Sequence, residues 1–289
     1  MTTHTLAVPG ATLTYDVHGE LTPGTTPLVL AGSPMDAAGF TTLRSHLTDR
    51  VVVTYDPRNA GRSSADDPAA AVSAARHAED LHALVDALGA RPVELFGTSG
   101  GATNALVLVA RHPEDVAVLV AHEPPMAAVL PDREAVLGAV DDLVSTYDAS
   151  GSGPAMARFI ALVTHRGPVP GDYLERPAPD PAAFGLPTTD DGRRDDPLMA
   201  NMRDRGLDAA LDVSALRAAP TRVVLAVGEE SGGPEDGEIA GRAAHAVAAA
   251  LGDDAVVFPG GHAGFLGGEH GQTGRPEEFA ARLREVLAG

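Results

Sequence analysis

The feature that most constrains this chain is a Gly-x-Ser-x-Gly pentapeptide, Gly97-Thr98-Ser99-Gly100-Gly101, which lies between an apolar run and a helical pattern. Such a pentapeptide is typical of a sharp turn from a strand into a helix, and the turn presents the serine hydroxyl at the carboxyl end of a sheet. The helix that follows directs free N–H groups and its positive dipole end toward any oxyanion formed there. Ser99 is therefore the predicted nucleophile. Gly97 and Gly101 are positions where a Cβ would collide with facing backbone.

Strand and helix patterns alternate on both sides of this turn. The strand runs are short and almost wholly apolar, as expected for parallel strands that helices cover on both faces. We therefore expect an α/β fold with a mostly parallel sheet of eight strands, the first two forming a hairpin. Strands are predicted at residues 5–8, 11–18, 27–31, 51–55, 92–96, 116–121, 221–227 and 255–258. Helices are predicted at 37–47, from a cap at Asp66 or Asp67 to 88, after Ser99, and at 132–148, 154–165, 197–218, 238–251 and 276–287.

The composition argues against several partners and cofactors. The chain has 289 residues, no cysteine and a net charge of −19, and all 21 of its basic residues are arginine. Excess acid disfavours nucleic acid and anionic membranes as partners, and without cysteine there are no disulfides or thiolate-bound metals. No stretch resembles a signal peptide or a membrane span. We expect a cytoplasmic protein, monomeric or homodimeric, that uses no metal and no cofactor.

Residues 125–218 interrupt the alternation of strands and helices. Helical stretches surround a segment rich in Pro, Gly and Asp at 167–197, and no convincing strand is present in the interval. We expect these residues to form a helical cap, or lid, inserted into a core domain made of residues 1–124 and 219–289.

Ser99 requires a general base, because a serine hydroxyl is a poor nucleophile at neutral pH. His262 lies in a glycine-rich loop, Pro-Gly-Gly-His-Ala-Gly at residues 259–264, directly after the last predicted strand. Parallel strands bring their carboxyl ends to one edge of the sheet, which is also where Ser99 is expected. His262 is the predicted base.

Taken together, the chain resembles the serine-hydrolase branch of the α/β-hydrolase fold superfamily over nearly its whole length. The resemblance rests on the Ser99 pentapeptide, on Asp-x-Arg-x-x-Gly-x-Ser at residues 56–63, and on His262 after the last strand. The order serine, acid, histidine along the chain is the one that this fold uses. The resemblance implies a core sheet with an inserted helical cap and a triad that includes an acid.

Two places remain open for this acid. In many members of the superfamily the acid follows the strand after the cap, where this chain has Glu229 and Glu230. The other place is the end of the strand before the cap, which reads His-Glu-Pro-Pro at residues 122–125. A glutamate followed by proline at that strand end is similar to zearalenone-type lactonases, and a rigid strand end suits a group that must orient an imidazole. We favour Glu123, with Glu230 and then Glu229 as alternatives.

An oxyanion needs two hydrogen-bond donors. One is expected to be the backbone N–H of Gly100, which follows the nucleophile directly. The other should come from the loop after the third strand, where the N–H of Ser33 is the first choice and that of Gly32 the second. Relatives often carry His-Gly-x-Pro in this loop, whereas this chain has Ala31 at the histidine position.

These residues predict the hydrolysis of a carboxylic ester or lactone of small to medium size through an acyl-enzyme. Hydrolysis of a carbon–carbon bond, thioester hydrolysis and perhydrolysis remain open, because the same triad supports each of them. Ligand binding without catalysis is the alternative from another class. The expected substrate pocket under the cap is apolar, and its candidate lining residues are Met35, Met126, Met156, Phe159, Tyr173, Met199 and Met202.

Overall fold

The strands form one mostly parallel sheet in a computed structural model that describes all 289 residues. They are β1 (Thr2–Val8), β2 (Ala11–His18), β3 (Leu28–Ala31), β4 (Val52–Asp56), β5 (Ser64–Ala65), β6 (Val93–Thr98), β7 (Val116–His122), β8 (Arg222–Gly228) and β9 (Val256–Phe258). The order across the sheet is β1-β2-β4-β3-β6-β7-β8-β9. Only the pairs that involve β2 are antiparallel. The eight expected strands are present, and the two-residue β5 beside β2 adds a ninth.

Helices cover both faces of the sheet. They are α1 (Thr41–Ser45), α2 (Ala74–Leu88), α3 (Gly100–Arg111), α4 (Arg133–Ser150), α5 (Ser152–Val163), α6 (Pro197–Arg203), α7 (Val213–Ala218), α8 (Ile239–Leu251) and α9 (Pro276–Ala288). Along β3, Val29 and Ala31 pack into the apolar cluster that includes α2, α3 and α8, whereas Leu28 and Leu30 join the cluster of α1 and α9. Burial on both faces is why this strand lacks polar alternation. None of the helices combines the length and the apolar character needed to cross a membrane.

The predicted start of α2 is wrong. The helix begins at Ala74, and the Ser73 hydroxyl caps it by accepting a hydrogen bond from the backbone N–H of Arg76. The preceding residues are held outside the helix, because Val72 N donates to Ala200 O of α6 at 3.0 Å. A contact with a distant helix therefore decides between several possible capping residues.

The single helix predicted over 197–218 is also wrong. The structure divides this interval into α6, a short 3-10 turn (Gly206–Asp208) and α7. The break falls at Arg205, whose left-handed φ of 51° is incompatible with a continuing right-handed helix. A new helix then begins at Val213, where the side chain of Asp212 caps it.

The segment between β7 and β8 is helical and contains no strand. Helices α4, α5 and α6 surround a separate apolar cluster that includes Leu143, Tyr147 and Met199. The same cluster extends into α8 through Ile239 and Ala243. The helical segment is thus anchored on the sheet-covering layer by shared apolar contacts.

Candidate active site

Ser99 lies between β6 and α3 with φ 54° and ψ −128°, a left-handed conformation that few non-glycine residues adopt. Its backbone N–H donates to His122 O at 2.9 Å, which ties the turn to the end of β7. A Cβ on Gly97 would lie 2.9 Å from the Cα of Ala102, and one on Gly101 would lie only 2.2 Å from the carbonyl oxygen of Ala31. The small residues around Ser99 are therefore required by close backbone packing.

Glu123 follows β7 directly, and its carboxylate is completely buried. One oxygen, Oε1, accepts the backbone N–H of Gly228 at 2.8 Å, and the other, Oε2, lies 2.6 Å from Nδ1 of His262. Thr98 of β6 pairs with His122 of β7, so Ser99 and Glu123 are each the first residue after two paired strand ends. The carboxyl edge of the sheet therefore places Ser99 and Glu123 after neighbouring strand ends, and Glu123 contacts His262 there.

The negative charge of Glu123 and the positive charge of protonated His262 stabilise each other. Burial alone favours the neutral form of the Glu123 carboxyl, but the neighbouring His122 and the hydrogen bond from His262 lower its pKa to about 2. Burial likewise opposes the charge on His262, but the contact with Glu123 and the nearby charge of Glu238 raise its pKa above the ordinary value of 6.5. The buried Ser231 hydroxyl also helps to lower the pKa of Glu123, although the hydroxyl oxygen has no hydrogen-bond partner. An ionised Glu123 keeps the hydrogen of neutral His262 on Nδ1 and leaves Nε2 as the acceptor.

His122 is a buried residue of this site that the sequence analysis did not single out. Its Nδ1 lies 3.0 Å from Thr98 Oγ1, whereas its Nε2 has no hydrogen-bond partner. Burial lowers its pKa to about 4, so the ring is neutral at pH 7. Its ring lies 6.1 Å from that of His262, measured between centroids. Four phenylalanine rings surround the other sides of His122: Phe96, Phe258, Phe265 and Phe279. A histidine that ends an otherwise apolar strand was the available signal.

Neither of the two alternative acids forms a side-chain hydrogen bond with His262, whose Nδ1 contacts Glu123. The Glu229 side chain is 45% exposed and forms an ion pair with Arg275. Glu230 is exposed, and its backbone N–H donates to Gly260 O at 3.1 Å, while no side-chain hydrogen bond joins it to His262. Neither residue occupies the position that Glu123 holds.

The loop after β3 packs directly against the residue that follows the nucleophile. A Cβ on Gly100 would lie 2.5 Å from the carbonyl oxygen of Ser33 and 3.3 Å from its Cβ. A Cβ on Gly32 would lie 2.7 Å from Met35 O, so this loop is compact as well. Ser33 is 6% exposed, and its hydroxyl accepts a hydrogen bond from Asn201 Nδ2 of α6 at 3.1 Å. The residues expected to supply the oxyanion donors are thus adjacent.

The candidate pocket residues are distributed over three places. Met35 packs beside Gly32 in the loop after β3. Met126 lines a mostly apolar cavity of about 190 Å³. This cavity lies next to the second half of α3, and that half begins roughly 10 Å along the helix axis from Ser99. The remaining five pack around the cluster of α4, α5 and α6, where Met199 and Met202 are buried and Met156, Phe159 and Tyr173 are half-buried.

A group of side chains with metal-binding chemistry lies elsewhere in the fold. Ligand atoms of His82, His112 and Asp115 come within 4.8 Å of one another. Arg91 Nε already lies 2.7 Å from the buried Asp115 carboxylate and supplies positive charge there. His82 Nδ1 contacts the other carboxylate oxygen at 2.7 Å. The carboxylate of this cluster is therefore already paired with a cation and a ring nitrogen.

Comparison with known proteins places this geometry in a family. The family model of the alpha/beta hydrolase fold matches residues 28–178, which are just over half of the chain. The chain belongs to the α/β-hydrolase fold family. An uncharacterised hydrolase of Bacillus subtilis, YraK, is 28% identical over 285 residues, which cover 98% of this α/β-hydrolase and 95% of that protein.

Solved structures share this architecture along almost the whole chain. The enol-lactonase of Burkholderia xenovorans superposes with a TM-score of 0.67 at 18% identity, covering 99% of this α/β-hydrolase and all of that chain. A thermophilic esterase of Thermogutta terrifontis gives 0.67 at 20% identity, with 98% and 96% of the two chains covered. At these identities the likeness concerns the fold. Together with the sequence relatives, it supports a hydrolase as the general function.

Proposed function

We propose that this α/β-hydrolase is a cofactor-independent serine hydrolase that cleaves a carboxylic ester or lactone. The observation that carries the proposal is the 2.6 Å contact between Glu123 Oε2 and His262 Nδ1. This contact lies at the sheet edge where Ser99 follows β6. A buried carboxylate that orients one imidazole tautomer beside a strained serine turn is the arrangement that acyl transfer needs.

Each residue has a defined role in the proposed reaction. Ser99 Oγ attacks the substrate carbonyl, and His262 Nε2 accepts the serine proton. Glu123 stabilises the imidazolium that forms. The backbone N–H groups of Gly100 and Ser33 stabilise the oxyanion, with Gly32 as the second choice in the β3 loop. His262 then donates its proton to the leaving alkoxide, and a water molecule, activated by His262, hydrolyses the acyl-enzyme.

The proposed substrate is a small to medium apolar ester or lactone that binds beneath residues 125–218, acting as a cap. Support for this class comes from the esterase and the enol-lactonase with the same fold. Further support comes from Glu123 itself, since its place at the strand end before the cap resembles that of zearalenone-type lactonases. Met35 is a candidate pocket residue that packs against Gly32 of the proposed oxyanion loop.

A fluorophosphonate reagent tests the proposal directly. The folded protein should form one covalent adduct at Ser99, detected by intact mass and peptide mapping, and should hydrolyse aryl esters or lactones in a substrate panel. Ser99→Ala should abolish both reactions, whereas Ser45→Ala, which removes an exposed hydroxyl bonded only to Thr42 O, should retain both. Folded wild-type protein that neither reacts nor turns over any ester, lactone or thioester would favour the ligand-binding alternative.

A further inference from the structure

A chain of polar side chains joins α2, α6 and the loop after β3. His77 Nε2 lies 2.9 Å from Asn201 Oδ1, and Asn201 Nδ2 donates to Ser33 Oγ at 3.1 Å. His77 is 3% exposed and Ser33 is 6% exposed, whereas Asn201 between them is half-buried. The chain therefore reaches from a core helix to the residue next to the proposed oxyanion hole.

The helix that carries Asn201 is held to neighbouring loops by two hydrogen bonds, both to residues that precede Asn201. Val72 N donates to Ala200 O at 3.0 Å, and Asn59 Nδ2 donates to Asp195 O at the same distance. Asp196 caps the helix by accepting hydrogen bonds from the N–H groups of Leu198 and Met199. Asn201 therefore approaches Ser33 from a rigid element.

The direction of these bonds leaves the hydrogen of the Ser33 hydroxyl without an acceptor. Burial lowers the pKa of His77, so its ring is neutral at pH 7 and carries one hydrogen. With Asn201 Oδ1 as the acceptor, that hydrogen lies on Nε2, and Nδ1 keeps an unpaired lone pair. The opposite amide orientation would put the hydrogen on Nδ1 and leave a buried N–H unpaired, which is rarer in proteins. Asn201 thus donates to the Ser33 oxygen, and the hydrogen of the Ser33 hydroxyl forms no hydrogen bond within the protein.

The residue that carries this hydroxyl packs against Gly100, the expected main-chain donor to the oxyanion. Ala31 pairs with Gly97 across β3 and β6, so Ser33 and Ser99 each lie two residues beyond a paired position. The Cβ of Ser33 is 3.3 Å from where a Cβ on Gly100 would stand, and Gly100 is the expected main-chain donor. A hydroxyl whose hydrogen is free can donate to the substrate oxygen in addition to the backbone groups.

We propose that the Ser33 hydroxyl is a third donor to the oxyanion, and that Asn201 and His77 are positioning residues that keep its hydrogen available. The inference rests on the proposed serine-hydrolase function. It assigns a role to Asn201 of the 125–218 segment. This side chain acts through Ser33 and does not touch the reacting atoms.

The test compares Ser33→Ala, Asn201→Asp and the double variant on one aryl ester. Ser33→Ala keeps the backbone N–H and should lower kcat by about 10²-fold, the scale of losing one oxyanion donor, with little change in KM. Asn201→Asp should cause a similar loss, because a carboxylate has no hydrogen to donate and accepts the Ser33 hydrogen instead. The double variant should be no slower than the slower single variant, since both changes remove the same donor.

Three controls separate this inference from a structural effect and from the proposed function. Gln272→Glu makes the same amide-to-carboxylate change at an exposed position outside α6, and it should retain kcat. Ser33→Thr keeps a hydroxyl and should retain most of the activity even if Ser33→Ala fails to fold. If wild type is active and Ser99→Ala is inactive, the proposed function stands. In that case, kcat of folded Ser33→Ala within about threefold of wild type, or multiplying losses in the double variant, would overturn only the inference.

Discussion

Replacing Glu123 by glutamine is the most decisive perturbation of this site, because it removes a charge while keeping the shape of the side chain. The carboxylate now accepts two hydrogens, from Gly228 N at 2.8 Å and from His262 Nδ1 at 2.6 Å. An amide has one oxygen and one NH₂ group, so it satisfies only one of these donors. The local geometry therefore decides which of the two donors the amide oxygen accepts from.

The two orientations of the amide have different consequences. If its oxygen keeps the Gly228 N–H, its NH₂ group faces His262 Nδ1, which must then lose its hydrogen and leave it on Nε2. If the amide turns over, NH₂ faces the N–H of Gly228, and an unsatisfied buried donor costs about 1–3 kcal/mol. The first orientation is favoured, and in it His262 is in the wrong tautomer to accept the proton of Ser99. We expect kcat to fall by about 10⁴-fold, the scale seen when an orienting acid becomes an amide.

Steady-state hydrolysis of an activated aryl ester measures this loss, and thermal unfolding shows whether each variant is folded. Glu230→Gln and Glu229→Gln are matched controls with the same chemical change, and both should stay close to wild-type kcat. A loss smaller than about 10-fold in folded Glu123→Gln would refute the reasoning, as would a larger loss in Glu230→Gln. The first result would remove Glu123 as the acid, and the second would move the acid to the end of β8.

Three further predictions follow from pKa directions and packing. Because the base must be neutral and the pKa of His262 is raised, kcat/KM should rise with pH in one step centred above 6.5, and a flat profile from pH 5 to 8 would contradict this. The pKa of His122 falls from 6.5 to about 4 on folding, so about 3 kcal/mol of stability is present above pH 6.5 and lost as pH falls through this window to 4. Urea unfolding of His122→Phe should lack this part of the pH dependence, and an unchanged dependence would be inconsistent with a buried neutral ring. Gly101→Ala should lower Tm and abolish fluorophosphonate labelling, because its Cβ would lie 2.2 Å from Ala31 O. Gly138→Ala should do neither, because its Cβ would meet only Leu174 Cδ1, at an ordinary contact distance of 3.9 Å.

The sequence contains enough information to predict the sheet and the candidate site, because both depend on local patterns. Apolar runs that alternate with helices predict the strands within one to three residues of their observed ends. Since parallel strands end at one edge, the residues that follow them, Ser99, Glu123 and His262, are expected to lie at that edge. Strand boundaries alone do not choose the acid, because Glu229 also follows a strand directly, and the resemblance to zearalenone-type lactonases is what favours Glu123.

What the sequence does not predict depends on contacts between distant residues. The start of α2 is set by Val72 against Ala200, and local propensity cannot select Ser73 over Asp66 or Asp67. The contact of His77 with Asn201 joins positions 124 residues apart, and that of Asn201 with Ser33 joins positions 168 apart. Apolar composition also does not separate a pocket from a core, which is why Met199 and Met202 were expected to line a binding site and are instead buried among α4, α5 and α6.

The attachment of the buried carboxylate to the end of β7 has a consequence for engineering. The connection from β8 to α8 carries Glu229 and Glu230, neither of which is hydrogen-bonded to His262, and then the sequence Gly-Gly-Pro-Glu-Asp-Gly at 232–237. In the proposed mechanism no reacting group lies in this connection, although Ser231 and Glu238 at its borders influence the charges of the acid and the base. Libraries randomised at the exposed residues Pro234 and Glu235 would therefore vary this connection while the triad stays on its strand ends. A relative with its acid in this connection would offer no such freedom.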